Sequence, residues 1–421
     1  MSTTHKILEQ PLDQGSPLSP EALACPHQYN QRLRAEAPVY QCPHTGIFFV
    51  SDFDTVCAIA KDHATFSNKF GQAMRPMGET DPEISAIQAT GYKPVDTMLT
   101  EDPPIHRRYR GLVNQAFTAR RVATLGPNIE RICNDLIDNM LAQCEKDGEC
   151  DFVTAFAEPV PLTVIAEQLG VPLSDYDLFK TWSDAFVAQL SGMANKEEQL
   201  QAAQHIVDFQ HYFAARLAER KENPKDDIIS DIVHAKFEDE LPLDTPEMLS
   251  ILQQLLVAGN ETTTHSIAEG VMNWIKHPDQ FAQLKANPDL IDNMVEEVLR
   301  LATPTANMWR VTTKDTEIQG TPVPAGSMVQ IRFSSANRDD TIFPQPDEFD
   351  ISRDNAKTQI AFGYGVHMCI GASLARKEMK VAFQCLLDRI DKFELMCSEE
   401  DLFYPPNVLL RGVAKMPVRV T

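Results

Sequence analysis

Apolar positions along the chain recur mostly at three- and four-residue spacing, the period of a helix with one buried face. From Pro104 to Gln254 this pattern dominates, with breaks expected at Pro127, Gly148, Pro161, Pro172 and Pro224. MANKEEQLQAAQHIVDFQHYFAARLAERKEN, 193–223, predicts one long amphipathic helix. The longest helical pattern covers 243–280, where Asp244 or Thr245 suits the N-cap and Pro246 the first turn. Its apolar residues Ile251, Leu252, Leu255, Leu256 and Val257 fall on more than one face, so this helix is expected in the middle of the protein.

Strand character is confined to a few stretches. GIFFVSDFDTVCAIAKD, 46–62, reads as an apolar strand, a turn and a helix. After Arg310, RVTTKDTEIQGTPVPAGSMVQIRFS reads as β-hairpin material with Pro324-Ala325-Gly326 as a turn. VLLRGVAKMPVRV supplies the last strands. Mostly helix with small sheets set apart in sequence is a mostly α, α+β pattern, and it does not alternate as a dinucleotide-binding sheet would. Residues 1–20 read as a flexible arm and 21–421 as a single domain, with no repeat or linker.

Composition narrows the function classes. The 421 residues are 43% hydrophobic and 23% charged, which fits a soluble protein with a substantial core. No apolar run approaches the ~18–20 residues of a membrane span. The polar start, MSTTHKILEQPLDQGSP, lacks a signal peptide, so a cytoplasmic protein is expected. A net charge of −22 argues against nucleic acid as a partner. The nine cysteines are scattered and do not read as a disulfide framework. Cys25 and Cys42 each head a CPH triplet, but neither has the second nearby thiol of a structural zinc site.

The chemistry concentrates in FGYGVHMCIGASLARKE, Phe362 to Glu378. Gly363 and Gly365 do not form a dinucleotide cradle, because the position where a third glycine is needed holds Met368. Cys369 immediately precedes an amphipathic helix, whose free N–H groups and dipole stabilise a thiolate. Three readings stay open on chemistry alone: a packed core thiol, a metal ligand and a nucleophile. His367, two residues away, is poorly placed to be the base of a nucleophile.

Three further patterns stand out. Glu297 and Arg300 share a helix face at i,i+3; a solvated surface pair is their ordinary reading. Ala258-Gly259-Asn260-Glu261-Thr262 places glycine and polar groups inside a buried helix, where a polar-lined kink would be the bland account. From Pro103 to Ile129 there are five arginines and no acidic residue, an electrostatic footprint for an anion or else a solvated face.

The segment F-G-x-G-x-H-x-C-x-G, filled by Phe362, Gly363, Gly365, His367, Cys369 and Gly371, resembles the haem-binding loop of cytochromes P450. The resemblance extends in order from about residue 30 to the end. It implies a haem b cofactor with Cys369 as the axial thiolate, Phe362 packed near the sulfur and His367 bonded to a propionate. It implies a structural network of Glu297, Arg300 and Arg353. By the same resemblance His106, Arg110 and Arg310 would hold haem propionates. Ala258 would border the cofactor where the helix opens locally, Thr262 would hydrogen-bond the dioxygen, and Glu261 would relay protons to it.

The activity so implied is insertion of one oxygen atom of O2 into a small to medium hydrophobic substrate. A peroxide-driven oxygenase and a non-catalytic haem-thiolate sensor are the alternatives, both disfavoured by the acid–alcohol pair at Glu261 and Thr262. No fused reductase is expected, and electrons are expected from an acidic ferredoxin and its reductase. The ferredoxin's docking surface is expected around Arg107 to Arg110, with Arg120 and Arg121 nearby. Candidate substrate contacts are 69–100, 173–200, Gln254, Val257, Ala306 to Trp309, and Val408-Leu409, rich in apolar and methionine side chains.

Overall fold

The computed structural model describes residues 11–71, 81–191 and 194–421. In chain order the longer helices are α1 (Pro26–Glu36), α2 (Phe53–Lys61), α3 (Ile105–Val113), α4 (Gly126–Asp147), α5 (Pro159–Gln168), α6 (Tyr176–Ser191), α7 (Lys196–Glu222), α8 (Thr245–Lys276), α9 (Pro278–Ala286), α10 (Ile291–Ala302) and α11 (Ala372–Arg389). The strands are β1 (Val39–Gln41), β2 (Phe48–Val50), β3 (Phe66–Ser67), β4 (Cys150–Asp151), β5 (Met308–Thr312), β6 (Thr316–Ile318), β7 (Thr321–Val323), β8 (Met328–Ile331), β9 (Phe393–Leu395) and β10 (Pro417–Val420). The fold is predominantly helical with small, segregated sheets.

Two compact units arise. One comprises 1–66, 125–161 and 261–421; the other comprises 67–124 and 162–260. The first holds the sheets, ordered β1-β2-β8-β5-β3, β4-β10-β9 and β6-β7. β2 lies parallel to β8, with Phe48 opposite Val329 and Val50 opposite Ile331. Phe48, Phe49 and Val50 are all buried, the signature of a strand covered on both faces. One of those covers is α2, whose Phe53, Val56, Ile59 and Ala60 join Val329, Ile331 and Phe333 in a single apolar cluster.

In the same unit α4 presents Ile129, Ile132, Cys133, Ile137, Met140 and Cys144 as a buried stripe. It packs on α11, and it ends where Gly148 turns into the left-handed region at φ 84° and bonds Cys144. In the other unit α7 starts on a capping box, Asn195 with Glu198, and packs on α6 through Trp182, Phe186, Phe209 and Phe213.

Three local expectations change. Pro161 does not break a helix: with Pro159 it occupies the first turn of α5, where a missing N–H costs nothing. The tight hairpin turn lies at Gln319-Gly320, both at positive φ, between β6 and β7; the Pro324–Gly326 turn instead feeds β8 back against β5. Of the last predicted strands only β10 forms one, preceded by an isolated bridge from Leu410 to Thr305. Among the described residues no helix is long and apolar enough to cross a membrane.

Candidate functional site

Cys369 sits on a tight loop two residues before Gly371, the N-cap of α11. Its N–H donates to the Phe362 carbonyl at 2.8 Å, which closes the loop, and a single 3-10 turn, Gly365–His367, lies inside it. Gly363 and Gly365 have φ of 75° and 77°. Gly365 has a second reason to lack a side chain: a Cβ there would lie 2.6 Å from the Ala60 carbonyl oxygen of α2. Val366 and Met368, flanking His367, are both exposed.

The loop is held from α10 by two adjacent glutamates with different duties. Glu297, fully buried, accepts from Arg300 at 2.7 and 2.8 Å and from Arg353 at 3.0 Å. The remaining guanidinium N–H groups go to carbonyls: Arg300 to Asn337, Pro346 and Glu348, and Arg353 to Pro344, Gln345 and Glu348. The structure therefore brings Glu297, Arg300 and Arg353 together. Glu296, absent from the sequence reading, accepts from Arg376 at 2.6 and 3.0 Å and from Gln359 at 2.9 Å. Arg376 in turn lies over the Phe362 ring at 4.5 Å, so Glu296 ties the loop's first residue to its helix.

Arg310 lies in β5, opposite Val329, with its side chain buried; its Nη1 donates to the Trp309 carbonyl at 2.7 Å. Beside it, Ala306 and Asn307 bond the carbonyls of Leu409 and Val408, which joins two of the candidate substrate segments.

The predicted acid–alcohol pair lies on α8, which runs unbroken from Thr245 to Lys276. The expected local opening is not present in the described backbone. Two of the neighbouring hydroxyl side chains instead bond within the helix and across to α11. Ser266 Oγ donates to the Thr262 carbonyl at 2.9 Å, and Thr263 hydrogen-bonds Glu378 of α11. Glu378 is wholly buried, which pushes its carboxyl well above the usual range. One turn beyond Glu261, His265 brings Nε2 to 3.5 Å from its carboxylate. Both His265 and Glu378 escaped the sequence reading. Glu378 carried a signal, an acid on the apolar stripe of α11; His265 carried the i,i+4 spacing from Glu261.

The other unit carries the remaining predicted residues. His106 is buried on α3 beside Tyr109, Leu112 and Val113, and Arg110 is half-buried one turn later. The arginine-rich face is not a bare patch. Arg108 donates to Glu247 at 2.7 and 3.1 Å and to the carbonyls of Leu241 and Pro242. Arg121 pairs with Asp231, and Arg107, 68% exposed, pairs with Glu238 at 2.6 Å. On α8, Val257 is buried, Ala258 is exposed and a Cβ on Gly259 would meet nothing within 4 Å among the described residues. Gln254 donates to Thr97 at 2.6 Å. Of the substrate candidates, 72–80 and 192–193 lie outside the described residues.

These features fit the cofactor that the resemblance implies. A thiol stands at a helix N-terminus, which favours its anionic, metal-binding form. A buried guanidinium at Arg310 suits a carboxylate.

Comparison with known proteins agrees. A family model described as cytochrome P450 matches residues 77–415. The chain is 35% identical over 412 residues to the cytochrome P450 monooxygenase PikC of Streptomyces venezuelae, covering 97% of this chain and 94% of that one. It is 33% identical over 389 residues to a steroid C26-monooxygenase of Mycobacterium tuberculosis, covering 92% of each. The solved structure of the polyketide synthase cytochrome P450 PksS of Bacillus subtilis superposes with a TM-score of 0.83 at 34% identity, covering 96% of this chain and 99% of that one.

Proposed function

The chain belongs to the cytochrome P450 family, an oxidoreductase family of haem-thiolate monooxygenases, and from that premise we propose that Cys369 is the axial ligand of its haem. The observation that carries this assignment is the closed loop from Phe362 to Cys369, which presents the thiol at the N-terminus of α11. When bound, the haem activates dioxygen, and electron donation from the thiolate favours cleavage of the O–O bond.

The protein's own residues do the rest. The glycine turns and the Glu296–Arg376–Phe362 tie hold the sulfur at one place, and the Glu297 network fixes the backbone leading to it. His106, Arg110, Arg310 and His367 would hold the haem propionates. Ala258 would border the haem on α8, and Gly363 and Gly371 would let the loop backbone approach it. Two protons are needed for one oxygen atom of O2 to leave as water; the Glu261 carboxyl would carry them in, and the Thr262 hydroxyl would take up each one as it passes its own hydrogen on. Replacing Thr262 by Ala is expected to divert electrons from product to peroxide, and unchanged coupling would count against this role.

The substrate is a small to medium apolar molecule, oxidised at a C–H bond. Titrating the ferric protein with terpenoids, steroids, fatty acids and aromatics, while following the spin state by absorption, identifies the class. A steroid is included because a relative is named for one. A low- to high-spin shift marks a compound that enters the pocket, whereas no shift across the panel would set this substrate class aside. Electrons arrive from an acidic ferredoxin at the α3 face. Arg107 is the exposed cation there, Arg108 being engaged by Glu247. Charge reversal at Arg107 should slow the first electron transfer, with a weaker dependence on salt.

A further inference from the structure

Glu261 has a partner that the acid–alcohol assignment does not include. We propose that His265 is a positioning residue for proton delivery, its Nε2–H holding the Glu261 carboxyl in one orientation on α8. The inference rests on the reading of Glu261 as the proton carrier.

The geometry is specific. Glu261 and His265 are one turn apart on the same helix face, and Nε2 stands 3.5 Å from Oε2, a close approach that a small side-chain rotation shortens to a hydrogen bond. The opposite side of the ring is packed against the C-terminal segment. A Cβ on Gly412 would lie 1.9 Å from Nδ1 and 2.0 Å from Cγ, so only glycine leaves room for this imidazole. Nδ1 is buried there and has no hydrogen-bond partner among the described residues.

That asymmetry assigns the tautomer. Burial, reinforced by the Arg411 charge, brings the imidazole down to about 4, so it is neutral near pH 7 and has one N–H. A proton on Nδ1 would be a buried donor facing glycine, whereas a proton on Nε2 faces a carboxyl oxygen. The ring therefore acts as a donor of fixed direction and does not itself carry the proton. Arg411 is occupied in turn, its guanidinium lying over the Tyr404 ring at 4.3 Å. Ser266, the next residue, bonds the Thr262 main-chain carbonyl one turn earlier.

The test compares wild type with E261Q, H265F and H265N in substrate-free turnover, with electrons from a plant-type ferredoxin and its reductase. The readout is the share of reducing equivalents released as hydrogen peroxide. H265F keeps the ring volume and removes the donor; H265N restores a short amide donor. A rise of about threefold in H265F, reversed in H265N, is the expected result. An effect in E261Q with none in H265F overturns the role of His265 alone. No effect in E261Q overturns the Glu261 reading and the proposal with it. Equal loss in H265F and H265N, with an intact haem spectrum, shows a packing role and overturns the proposal. A readout independent of turnover, and of whether H265F folds, is the 15N spectrum of the histidines in the reduced, carbon monoxide-bound holoenzyme. His265 should show the neutral Nε2–H tautomer, and its Nε2 resonance should move in E261Q. A resonance unmoved by E261Q contradicts the contact.

Discussion

Two sets of arginines, both conspicuous in the sequence, end in opposite environments. Arg300 and Arg353 are buried around Glu297, and their guanidinium groups are met by a carboxylate and by main-chain carbonyls. Arg107 and Arg108 stand on one helix, α3, where each also faces a glutamate. Yet Arg107 keeps most of its surface in water and Arg108 keeps little. The same ion pair therefore carries three different weights. In the interior the cost of stripping water from a charge is met only if every donor is used, so removing one member is severe. At the surface, water and salt replace the partner at almost no loss.

Substitutions along this gradient sharpen the contrast. Arg300→Ala leaves Glu297 charged and buried beside Arg353 alone, and should cost about 3–5 kcal/mol, measured by urea denaturation, with a matching fall in haem incorporation. A loss below ~1 kcal/mol would mean that water reaches the site.

His265 shows what burial does to a base that can shed its charge. Its depressed value, about 4 against an ordinary 6.5, means that below pH 6.5 the unfolded chain takes up a proton that the folded chain refuses. Stability is therefore lost as pH falls from 6.5 towards 4, by about 3 kcal/mol for this group. Denaturation of wild type and H265Q at pH 7 and pH 4 isolates the term: wild type should lose that much more than the variant. Parallel curves would place the imidazole in contact with water.

Smaller effects are expected on α3. Arg108→Ala removes the bidentate contact to Glu247 and should cost about 1–3 kcal/mol. Arg107→Ala should lie within about 1 kcal/mol, so its effect on electron transfer can be read on a folded protein. If the two variants proved equally stable, the distinction drawn between them from exposure would fail.

What could be read from the chain depended on how far apart the cooperating residues lie. The cysteine loop is contiguous, and its backbone demands at Gly363 and Gly365 are written in the same ten residues as its chemistry. Glu297 and Arg300 are three apart on one helix, so their shared face followed from helical geometry alone. Arg353 entered only by resemblance, since no local rule links it to α10. Glu296 was passed over beside Glu297, because a rotation of one residue aims it at Gln359 and Arg376, which reach it through tertiary packing. His265 was hidden for the same reason: the glycine that makes room for it is Gly412, in a segment read only as strand material. On α3 the count of arginines was legible, but the acids that pair with them come from 231–247 and were not. The mostly helical class was legible because periodicity is local, while the hairpin turn at Gln319-Gly320 lost to the stronger Pro-Ala-Gly signal five residues on.

The central claim is that Cys369 is the ligand that makes this chain a monooxygenase. The direct test is the absorption spectrum of the reduced, carbon monoxide-bound protein, for wild type and for Cys369→Ser. Wild type should give the strongly red-shifted Soret band of thiolate ligation, and the variant should lose it while still folding. A wild-type spectrum without that band, or a variant that keeps it, would contradict the assignment.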